Sequence, residues 1–394
     1  MGNIKDKVAI IGMGCTKFGE LWDKGVDDLI IDSTYEALAD AGIELDQVEA
    51  AVMGTLSSGL LTAAPLAEAL QFDNKPVSRV ENNCASGADA LRYAAFSVAS
   101  GMYDIVLAVG VEKSKDMGSG SLEAVGTLHP VTTIGSAPAA FGKAAVRYCQ
   151  QYGLSREQLK RTLAKIAVKG HYNGSLHPKA HFRKPIVLEA AINAPLVAWP
   201  LGLFDCCPVT DGAAAAIVCR ADMAKKFGEH VIIKAIGLAT GRIDPCKGKY
   251  YEDRDITFFQ ESYTAAKQAY DQMGIKNPRK EISTANIHDC FTITELLLYE
   301  TLGFCPVGQA KADVDAGSFT LKGDLPINTD GGLKAFGHPV GASGIRMIYE
   351  CYNQLLHRAG PRQLKDPKLG MQLSQGGMAG HGMQSLCTIV AAGS

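Results

Sequence analysis

One cysteine stands where a thiol could act as a nucleophile. Cys84 ends the polar turn ENNC and is followed at once by a predicted helix of small residues, ASGADALRYAAFSVASG. The start of a helix presents unpaired N–H groups and about half a positive charge, so we expect the pKa of this thiol to fall from roughly 8.5 toward neutrality. Ala85, Ser86 and Gly87 leave space for a bulky substrate. A buried structural cysteine is the competing interpretation, so the assignment depends on partners elsewhere.

A histidine in a glycine-rich segment could supply the base that such a thiol needs. His338 lies in GGLKAFGHPVGASG, where glycines permit sharp turns and a close approach of the backbone to a ligand. Pro339 stiffens the turn directly after the imidazole. A histidine held in this way can take the proton of Cys84, as Cys–His pairs do in covalent catalysis. The alternative is a turn histidine whose ring bonds only to the backbone.

Two more titratable side chains follow a predicted strand. His288 and Cys290 lie in NIHDCF, where an apolar run ends and a helix begins. In open α/β sheets, ligands bind beyond the carboxyl ends of the strands, so both side chains are candidates for one site. We expect Asp289, between them, to cap the following helix. The alternative for Cys290 is simple burial.

A glycine-rich segment near the C-terminus is a candidate oxyanion site. SQGGMAGHG is predicted as a loop before a closing strand, and its backbone N–H groups could stabilise an oxyanion. The alternative is a flexible turn between two strands.

The elements that must position these residues alternate between strand and helix. Apolar runs predict strands at 7–14, 49–55, 104–112, 211–220, 231–241 and 282–291. Helical spacing and caps predict helices at 27–41, 85–101, 259–273, 293–303 and 345–360. This alternation implies parallel βαβ units, arranged as two duplicated α/β halves without a repeat at the residue level.

The chain is predicted to divide into three parts. We assign 1–113 with 201–230 to an N-terminal half, 114–200 to an inserted loop domain packed on the sheet, and 231–394 to a C-terminal half. Within the insertion, Ser155 and Gln158 form a capping box. Residues 156–184 hold eight Lys/Arg against one acid. This basic stretch is either a solvated face or the entrance of a binding site for an anionic ligand such as the phosphates of coenzyme A.

Composition excludes several classes of protein. The 394 residues carry a net charge of −2, which does not favour nucleic acid as a partner. No apolar run is long enough to span a membrane, and the N-terminus lacks the features of a targeting peptide. The eleven cysteines include no CxxC pair, so we expect no metal site and reduced thiols in a cytoplasmic compartment. GMGCTKFG has Lys17 where a dinucleotide fingerprint requires glycine.

The motifs NNCASG, HDCF and GHPVGASG, in this order and spacing, resemble those of the thiolase superfamily over essentially the whole chain. HDCF, in place of the NEAF of ordinary thiolases, is similar to the sterol-carrier-type branch, as is the opening VAIIGMGCTKFGE. The resemblance implies an α/β fold with mixed, parallel-rich sheets in an α/β/α/β/α layering, plus the inserted loop domain.

The resemblance also implies a role for each candidate residue. Cys84 would become acylated, His338 would activate it, and His288 would complete an oxyanion hole for the thioester oxygen. Ordinary thiolases carry a second catalytic cysteine in a C-terminal CxG motif, where this chain has SQGGMAG. Cys290 would replace that cysteine as the acid/base. The N–H of Cys84 with that of Gly376 or Gly377 would form a second oxyanion hole.

Substrate and partners follow from the same resemblance. The expected reaction is cleavage of a 3-oxoacyl-CoA by coenzyme A, which acts as a substrate, with no permanently bound cofactor. The chain is similar to thiolases that use an aryl substrate such as benzoylsuccinyl-CoA together with a small OB-fold/zinc-ribbon subunit, and a homodimer core is expected. The alternatives are condensation to acetoacetyl-CoA, acyl transfer to a non-CoA acceptor, or a non-catalytic protein that binds acyl-CoA or lipid.

Overall fold

The computed structural model describes residues 4–56, 62–117, 136–242, 255–379 and 381–393. The strands within these ranges are β1 Val8–Cys15, β2 Ala50–Gly54, β3 Val77–Val80, β4 Ile105–Glu112, β5 Leu196–Ala198, β6 Leu201–Gly202, β7 Gly212–Arg220, β8 Val231–Thr240, β9 Thr284–Ile287, β10 Gly370–Met378 and β11 His381–Ala392. The α-helices are α1 Val26–Ala41, α2 Ala64–Ala69, α3 Ser86–Ala99, α4 Ala137–Tyr152, α5 Arg156–Ser175, α6 Leu188–Ile192, α7 Gln260–Met273, α8 Pro278–Glu281, α9 Thr292–Thr301, α10 Ala310–Ala316, α11 Gly332–Ala335 and α12 Ser343–Leu355.

Nine strands form a mixed sheet whose pairing pattern occurs twice. Their order is β3-β2-β4-β7-β1-β8-β11-β10-β9. In the first half, β4 pairs parallel with β2 and antiparallel with β7, which pairs antiparallel with β1. In the second half, β10 pairs parallel with β9 and antiparallel with β11, which pairs antiparallel with β8. The predicted duplication of α/β halves is confirmed, and a short β1–β8 contact joins the two sets of strands into one sheet.

The duplication extends to the segments that carry the candidate residues. Strand β3 pairs parallel with β2, and in the second half Ile327 makes a single parallel bridge to Ala285 in β9. In the first half the turn of Cys84 leads directly into α3, and in the second half α11 and then the segment of His338 precede α12. Cys84 and His338 therefore occupy corresponding places in the two halves.

The two helices after these segments form the central layer. Buried residues of α3 and α12 share one apolar cluster with strands of both halves. Helix α1 packs on the outer side of β1, β4 and β7, and α7 packs on β8 and β11. The arrangement gives the α/β/α/β/α layering implied by the family resemblance.

The inserted segment packs differently from the prediction. Its long helix α5 begins at the predicted Ser155–Gln158 capping box, which forms both of its hydrogen bonds. Leu159, Leu163 and Ile166 then bury one face of α5 in the cluster that contains α9. The described part of the insertion thus packs mainly on helices of the second half, not on the sheet, because its apolar stripe is helical. The domain boundaries themselves stay a prediction.

The C-terminal segment also differs from the prediction. SQGGM lies within β10, and β10 forms a hairpin with β11, so the segment predicted as a loop is mostly strand. Among the described residues, no helix is long and apolar enough to cross a membrane. The ten described cysteines are free thiols.

Candidate active site

The turn that carries Cys84 is fixed by its own hydrogen bonds. Asn83 adopts a left-handed conformation (φ 51), which asparagine tolerates better than most residues. The Ser86 hydroxyl donates to the Asn83 carbonyl at 2.5 Å and accepts from the Asn82 N–H at 2.9 Å. Asn83 Nδ2 also donates to Gln384 Oε1 in β11 at 2.9 Å. The turn therefore holds the nucleophile in one position between β3 and α3.

Glycines bring the Cys84 and His338 segments together. A Cβ placed on Gly87, in the first turn of α3, would lie 2.2 Å from the carbonyl oxygen of Gly341. A Cβ on Gly344, in α12, would lie 2.2 Å from the backbone nitrogen of Ala88. Any side chain at these positions would push the two helix starts apart. The N-termini of the two central helices consequently meet backbone to backbone.

Three candidate side chains converge at this meeting point. The Sγ atom of Cys84 and one ring nitrogen each from His288 and His338 all lie within 4.8 Å of one another. The two imidazoles meet edge to face, with ring centroids 5.3 Å apart. Both histidines are almost fully buried, at 3% and 4% exposure, whereas Cys84 is half-buried. The site is therefore open on the side of the thiol.

Hydrogen bonding selects the tautomer of His338. Nδ1 lies 2.8 Å from the hydroxyl of Ser343, whose single proton goes to the Pro339 carbonyl at 2.9 Å. The hydroxyl must therefore accept a proton from Nδ1, which leaves Nε2 unprotonated. Nε2 is buried and has no hydrogen-bond partner. It is the ring nitrogen available to take a proton from the thiol.

The pKa shift of Cys84 is opposite to the one expected from the sequence. Burial raises the pKa of the thiol to about 12, and the Glu112 carboxylate adds to this rise. The backbone hydrogen bond at the helix start lowers the pKa, but by less. Burial and the positive charge of Arg346 lower the pKa of His338 to about 3. The prediction that the pKa of this thiol falls toward neutrality is thus wrong, and both groups are neutral near pH 7 in the free enzyme.

The HDC segment lies beside this pair. Burial lowers the pKa of His288 well below its ordinary value, and His338 and Arg346 lower it further. Cys290 is only 7% exposed, and burial raises the pKa of its thiol well above the ordinary value. Cys207 and Cys84 are both close enough to raise it further. Cys290 therefore keeps its proton at neutral pH and suits the role of an acid.

Asp289 does not cap the following helix α9, as the sequence suggested. Its carboxylate instead accepts the backbone N–H groups of Leu333 at 2.6 Å and Lys334 at 3.3 Å, at the start of α11. The side chain points back to α11 because the chain turns sharply after β9. Asp289 thus ties the segment of His288 and Cys290 to the segment of His338.

The two candidate oxyanion glycines lie against the nucleophile turn. A Cβ on Gly376 would lie 2.3 Å from the Asn82 carbonyl oxygen and 2.8 Å from Asn83 Cβ. Gly377 follows at a register shift between β10 and β11 and has a positive φ of 95, which glycine adopts readily. Both glycines therefore lie next to the turn that carries Cys84.

Sequence analysis missed two groups that shape the site. The Glu112 carboxylate at the end of β4 accepts the N–H groups of Gly341 at 3.0 Å and Leu56 at 2.9 Å, and so ties the His338 segment to the first half. The backbone N–H of Cys207 donates to the Cys290 carbonyl at 2.9 Å. An acid ending a fully apolar strand was the available signal for Glu112. Cys207 is brought in only by the tertiary fold.

The basic stretch is neither wholly solvated nor wholly free for a ligand. Four of its lysines pair with carboxylates: Lys160 with Asp205, Lys165 with Asp315, Lys169 with Glu295 and Lys179 with Glu36. Arg183 and Lys184 are exposed. They follow directly on His181 and Phe182, whose N–H groups donate to carbonyls in 335–336, just before His338.

Comparison with known proteins gives the class of this fold and site. A family model for the thiolase N-terminal domain matches residues 8–191, and one described as thiolase C-terminal domain-like matches residues 247–389. The chain belongs to the thiolase superfamily and is an acyltransferase.

Individual relatives refine this class. The acetyl-CoA acetyltransferase of Methanothermobacter thermautotrophicus is 38% identical over 95% of this chain and 97% of that protein. The benzoylsuccinyl-CoA thiolase subunit BbsB of Thauera aromatica is 32% identical over 95% of this chain and 96% of that protein. The solved structure titled Ltp2-ChsH2(DUF35) aldolase is 25% identical, with a TM-score of 0.82 over 99% of this chain and 98% of that one. Similarity to sterol carrier protein 2 of Homo sapiens, 32% identical over 94% of this chain and 70% of that protein, places the chain in the sterol-carrier-type branch.

Proposed function

We propose that this protein cleaves a 3-oxoacyl-CoA with coenzyme A through an acyl group carried on Cys84. The observation that supports this most directly is the convergence of Cys84, His288 and His338 within 4.8 Å, although they come from three distant parts of the sequence. A nucleophile, a base within reach and a second imidazole are the groups that acyl transfer through a thiol requires.

The first step forms the acyl-enzyme. His338 Nε2 takes the proton of the Cys84 thiol as the sulfur attacks the 3-oxo carbon of the substrate. Because the pair rests uncharged, this transfer is coupled to the arrival of substrate, and the thiol is protected from side reactions until then. His288 and the protonated His338 stabilise the oxyanion that forms on the attacked carbonyl.

The second step breaks the carbon–carbon bond. The bond between carbons 2 and 3 of the substrate breaks, its electron pair becomes the enolate of the leaving acetyl-CoA-type product, and the acyl group stays on Cys84. Cys290 donates its proton to carbon 2 of this enolate. The N–H group of Cys84 and that of Gly376 or Gly377 stabilise the enolate oxygen.

The third step regenerates the enzyme. Cys290, now a thiolate, takes the proton of an incoming coenzyme A, whose sulfur attacks the acyl carbonyl and releases acyl-CoA. The Cys84 sulfur leaves and takes the proton back from His338. Arg183 and Lys184 are placed to attract the phosphates of the coenzyme, because they are exposed cations beside the segment that carries His338.

The names of two relatives support different acyl groups. The name of BbsB supports an aryl substrate such as benzoylsuccinyl-CoA, and hence a role in aromatic degradation, whereas the name of the 38% identical relative supports acetoacetyl-CoA formation from acetyl-CoA. The same groups serve cleavage and condensation. Acyl transfer to a non-CoA acceptor would use the same acyl-Cys84.

We also propose that the protein works as an oligomer in a reducing, cytoplasmic compartment. BbsB is named as one subunit, and the structural relative is titled as a pair with a DUF35 protein, which supports a small partner subunit here. A homodimer is supported by β3, which is the edge strand of the sheet among the described residues, and by the exposed aromatic rings of Tyr93 and Phe96, both next to the Arg92 guanidinium in α3.

Thiolysis assays on the purified chain, alone and with a co-expressed small subunit, test this function. A panel of aliphatic and aryl 3-oxoacyl-CoA substrates should include at least one that is cleaved with consumption of one coenzyme A thiol per bond. Cleavage without consumption of coenzyme A would instead indicate an aldolase. Tight acyl-CoA binding with no turnover on any substrate would favour the non-catalytic alternative.

A further inference from the structure

The cluster of Cys84, His288 and His338 also has the composition of a metal site. Within the described ranges, these three side chains bring one sulfur and two imidazole nitrogens within 4.8 Å of one another. Cysteine and histidine are the side chains that Zn²⁺ prefers, and three protein ligands with an open fourth position are common among its sites. We propose that these residues bind one Zn²⁺ reversibly and that the bound ion blocks acyl transfer.

The distances are compatible with a small adjustment. A tetrahedral Zn²⁺ with bonds of about 2.0–2.3 Å holds its ligand atoms about 3.4–3.6 Å apart. The observed upper limit of 4.8 Å therefore requires side-chain shifts of only about 1 Å. Cys84 follows a turn residue and is half-buried, so a rotation of its side chain can supply this shift.

Unsatisfied ring nitrogens point to a ligand independently of the spacing. His288 Nδ1 and His338 Nε2 are both buried and have no hydrogen-bond partner. Histidines that bind metal usually donate their other ring N–H to a nearby acceptor, which orients the ring. His338 does this through Nδ1, which donates to Ser343 Oγ at 2.8 Å. Its Nε2, which has no hydrogen-bond partner, is therefore available as a metal ligand.

Binding of the ion would exclude the substrate. Cys84 would lose its thiol proton to solvent and bind Zn²⁺ as a thiolate, while His288 and His338 bind through neutral nitrogens. The ion would then occupy the nucleophile, the base and the place of the thioester oxygen. Acyl-CoA and Zn²⁺ should compete, and an acylated Cys84 should resist the metal. The inhibitory consequence rests on the proposed function, whereas the binding itself does not.

Calorimetric titration of the metal-free protein with ZnCl₂ tests the binding. We expect one high-affinity Zn²⁺ per chain with release of a proton, and Co²⁺ as a substitute should give a thiolate charge-transfer absorption. Cys84→Ser and His288→Gln should each weaken this site by more than the roughly 10–100-fold typical of losing an outer-shell partner. Cys149→Ser, which alters a half-buried thiol on α4 outside the cluster, should leave it unchanged. Unchanged affinity in Cys84→Ser, or no high-affinity site in the wild type, would overturn the proposal.

The same preparation separates this inference from the proposed function. In metal-free protein, acyl-CoA should acylate Cys84, and one equivalent of Zn²⁺ should abolish the adduct until EDTA is added. Acylation that persists with Zn²⁺ in excess overturns the inhibitory site but leaves the catalytic proposal intact. If Zn²⁺ binding requires Cys84 but Cys84 is never acylated, the metal site is supported and the catalytic proposal is wrong.

Discussion

A neutral Cys84–His338 pair has consequences for how the nucleophile is activated. Burial disfavours the charged form of both groups, raising the pKa of the thiol to about 12 and lowering that of the imidazole to about 3. Formation of the ion pair is therefore unfavourable in the free enzyme. Modification by a neutral alkylating agent should accordingly be slow in the free enzyme, because the thiolate is the reactive form.

The hydroxyl of Ser343 positions the base. Ser343→Ala removes the acceptor for His338 Nδ1–H, so the ring loses its fixed tautomer and orientation. We expect acylation of Cys84 to slow by about ten-fold or more, since general base catalysis as a whole contributes roughly 10²–10⁴-fold. Single-turnover acylation followed by mass spectrometry measures this step. Ser343→Thr keeps the hydroxyl and should restore most of the rate, and an equal loss in both variants would indicate a packing effect instead.

Cys290 should matter only after acylation. Cys290→Ala removes the proton donor for the enolate but leaves Cys84 and His338 in place, so simple acyl-CoA should still acylate Cys84 while carbon–carbon cleavage is lost. Measuring both the acyl adduct and the rate of thiolysis in Cys290→Ala shows whether acylation and carbon–carbon cleavage are affected separately. Cys149→Ser, at a half-buried thiol on α4 outside the site, is the control and should keep both activities. Full thiolysis by Cys290→Ala would show that another group is the acid.

At the scale of elements, the site depends on backbone contacts that leave no room for side chains. The connection from β3 to α3, the segment that leads into α12 and the end of β10 meet at Gly87, Gly341, Gly344 and Gly376. The contact of Gly376 with Asn82 and Asn83 fixes the position of the turn that carries Cys84 relative to the β10–β11 hairpin.

Substitution at this contact should displace the turn. Gly376→Ala places a Cβ 2.3 Å from the Asn82 carbonyl oxygen, which cannot be accommodated without a backbone shift. We expect a loss of about 1–3 kcal/mol in the free energy of unfolding and a large fall in kcat. Chemical denaturation and steady-state thiolysis measure the two effects. Gly19→Ala, whose Cβ would meet nothing closer than 3.7 Å, is the control and should change neither. Normal turnover in Gly376→Ala would contradict the placement of the second oxyanion hole.

The sequence predicted the strands and helices of the site better than its electrostatics. Motif and periodicity located β1, β4, β7, α3 and α12 closely, because caps and apolar spacing are local signals. Sequence alone could not show that burial outweighs the helix N-terminus at Cys84, since burial depends on segments more than 200 residues away. Asp289 was assigned to the wrong helix for the same reason, because its carboxylate accepts N–H groups from α11, which is distant in sequence. The β10–β11 hairpin was predicted as a loop because its short glycine runs are typical of loops.

At the scale of the whole molecule, buried histidines should make the fold sensitive to acid. His171, His177, His288 and His338 all have lowered pKa values, chiefly because burial disfavours the imidazolium. Below about pH 6.5 the unfolded chain binds protons that the folded chain does not, so each histidine costs about 1.4 kcal/mol of stability per pH unit. Asp289 and Glu350, with raised pKa values, act in the opposite direction but are fewer.

Because the histidines outnumber the acids, the urea concentration at the denaturation midpoint should fall as the pH is lowered from 7 to 5. His171 offers a clean test, because its ring stacks on Phe182, meets Phe204 edge to face, and has a pKa that burial lowers to about 4. His171→Phe should flatten the decline by about 1.4 kcal/mol per pH unit. Urea denaturation at both pH values measures the slopes. A wild-type midpoint that does not change would contradict the neutral state of these side chains.

The intact mass of the metal-free protein after incubation with acyl-CoA tests the central claim most directly. The wild type should gain the mass of one acyl group, the adduct should map to the peptide that contains Cys84, and Cys84→Ala should gain nothing. An adduct that persists in Cys84→Ala, or one that maps to Cys207 or Cys290 in the wild type, would contradict the assignment of the nucleophile and every step that follows from it.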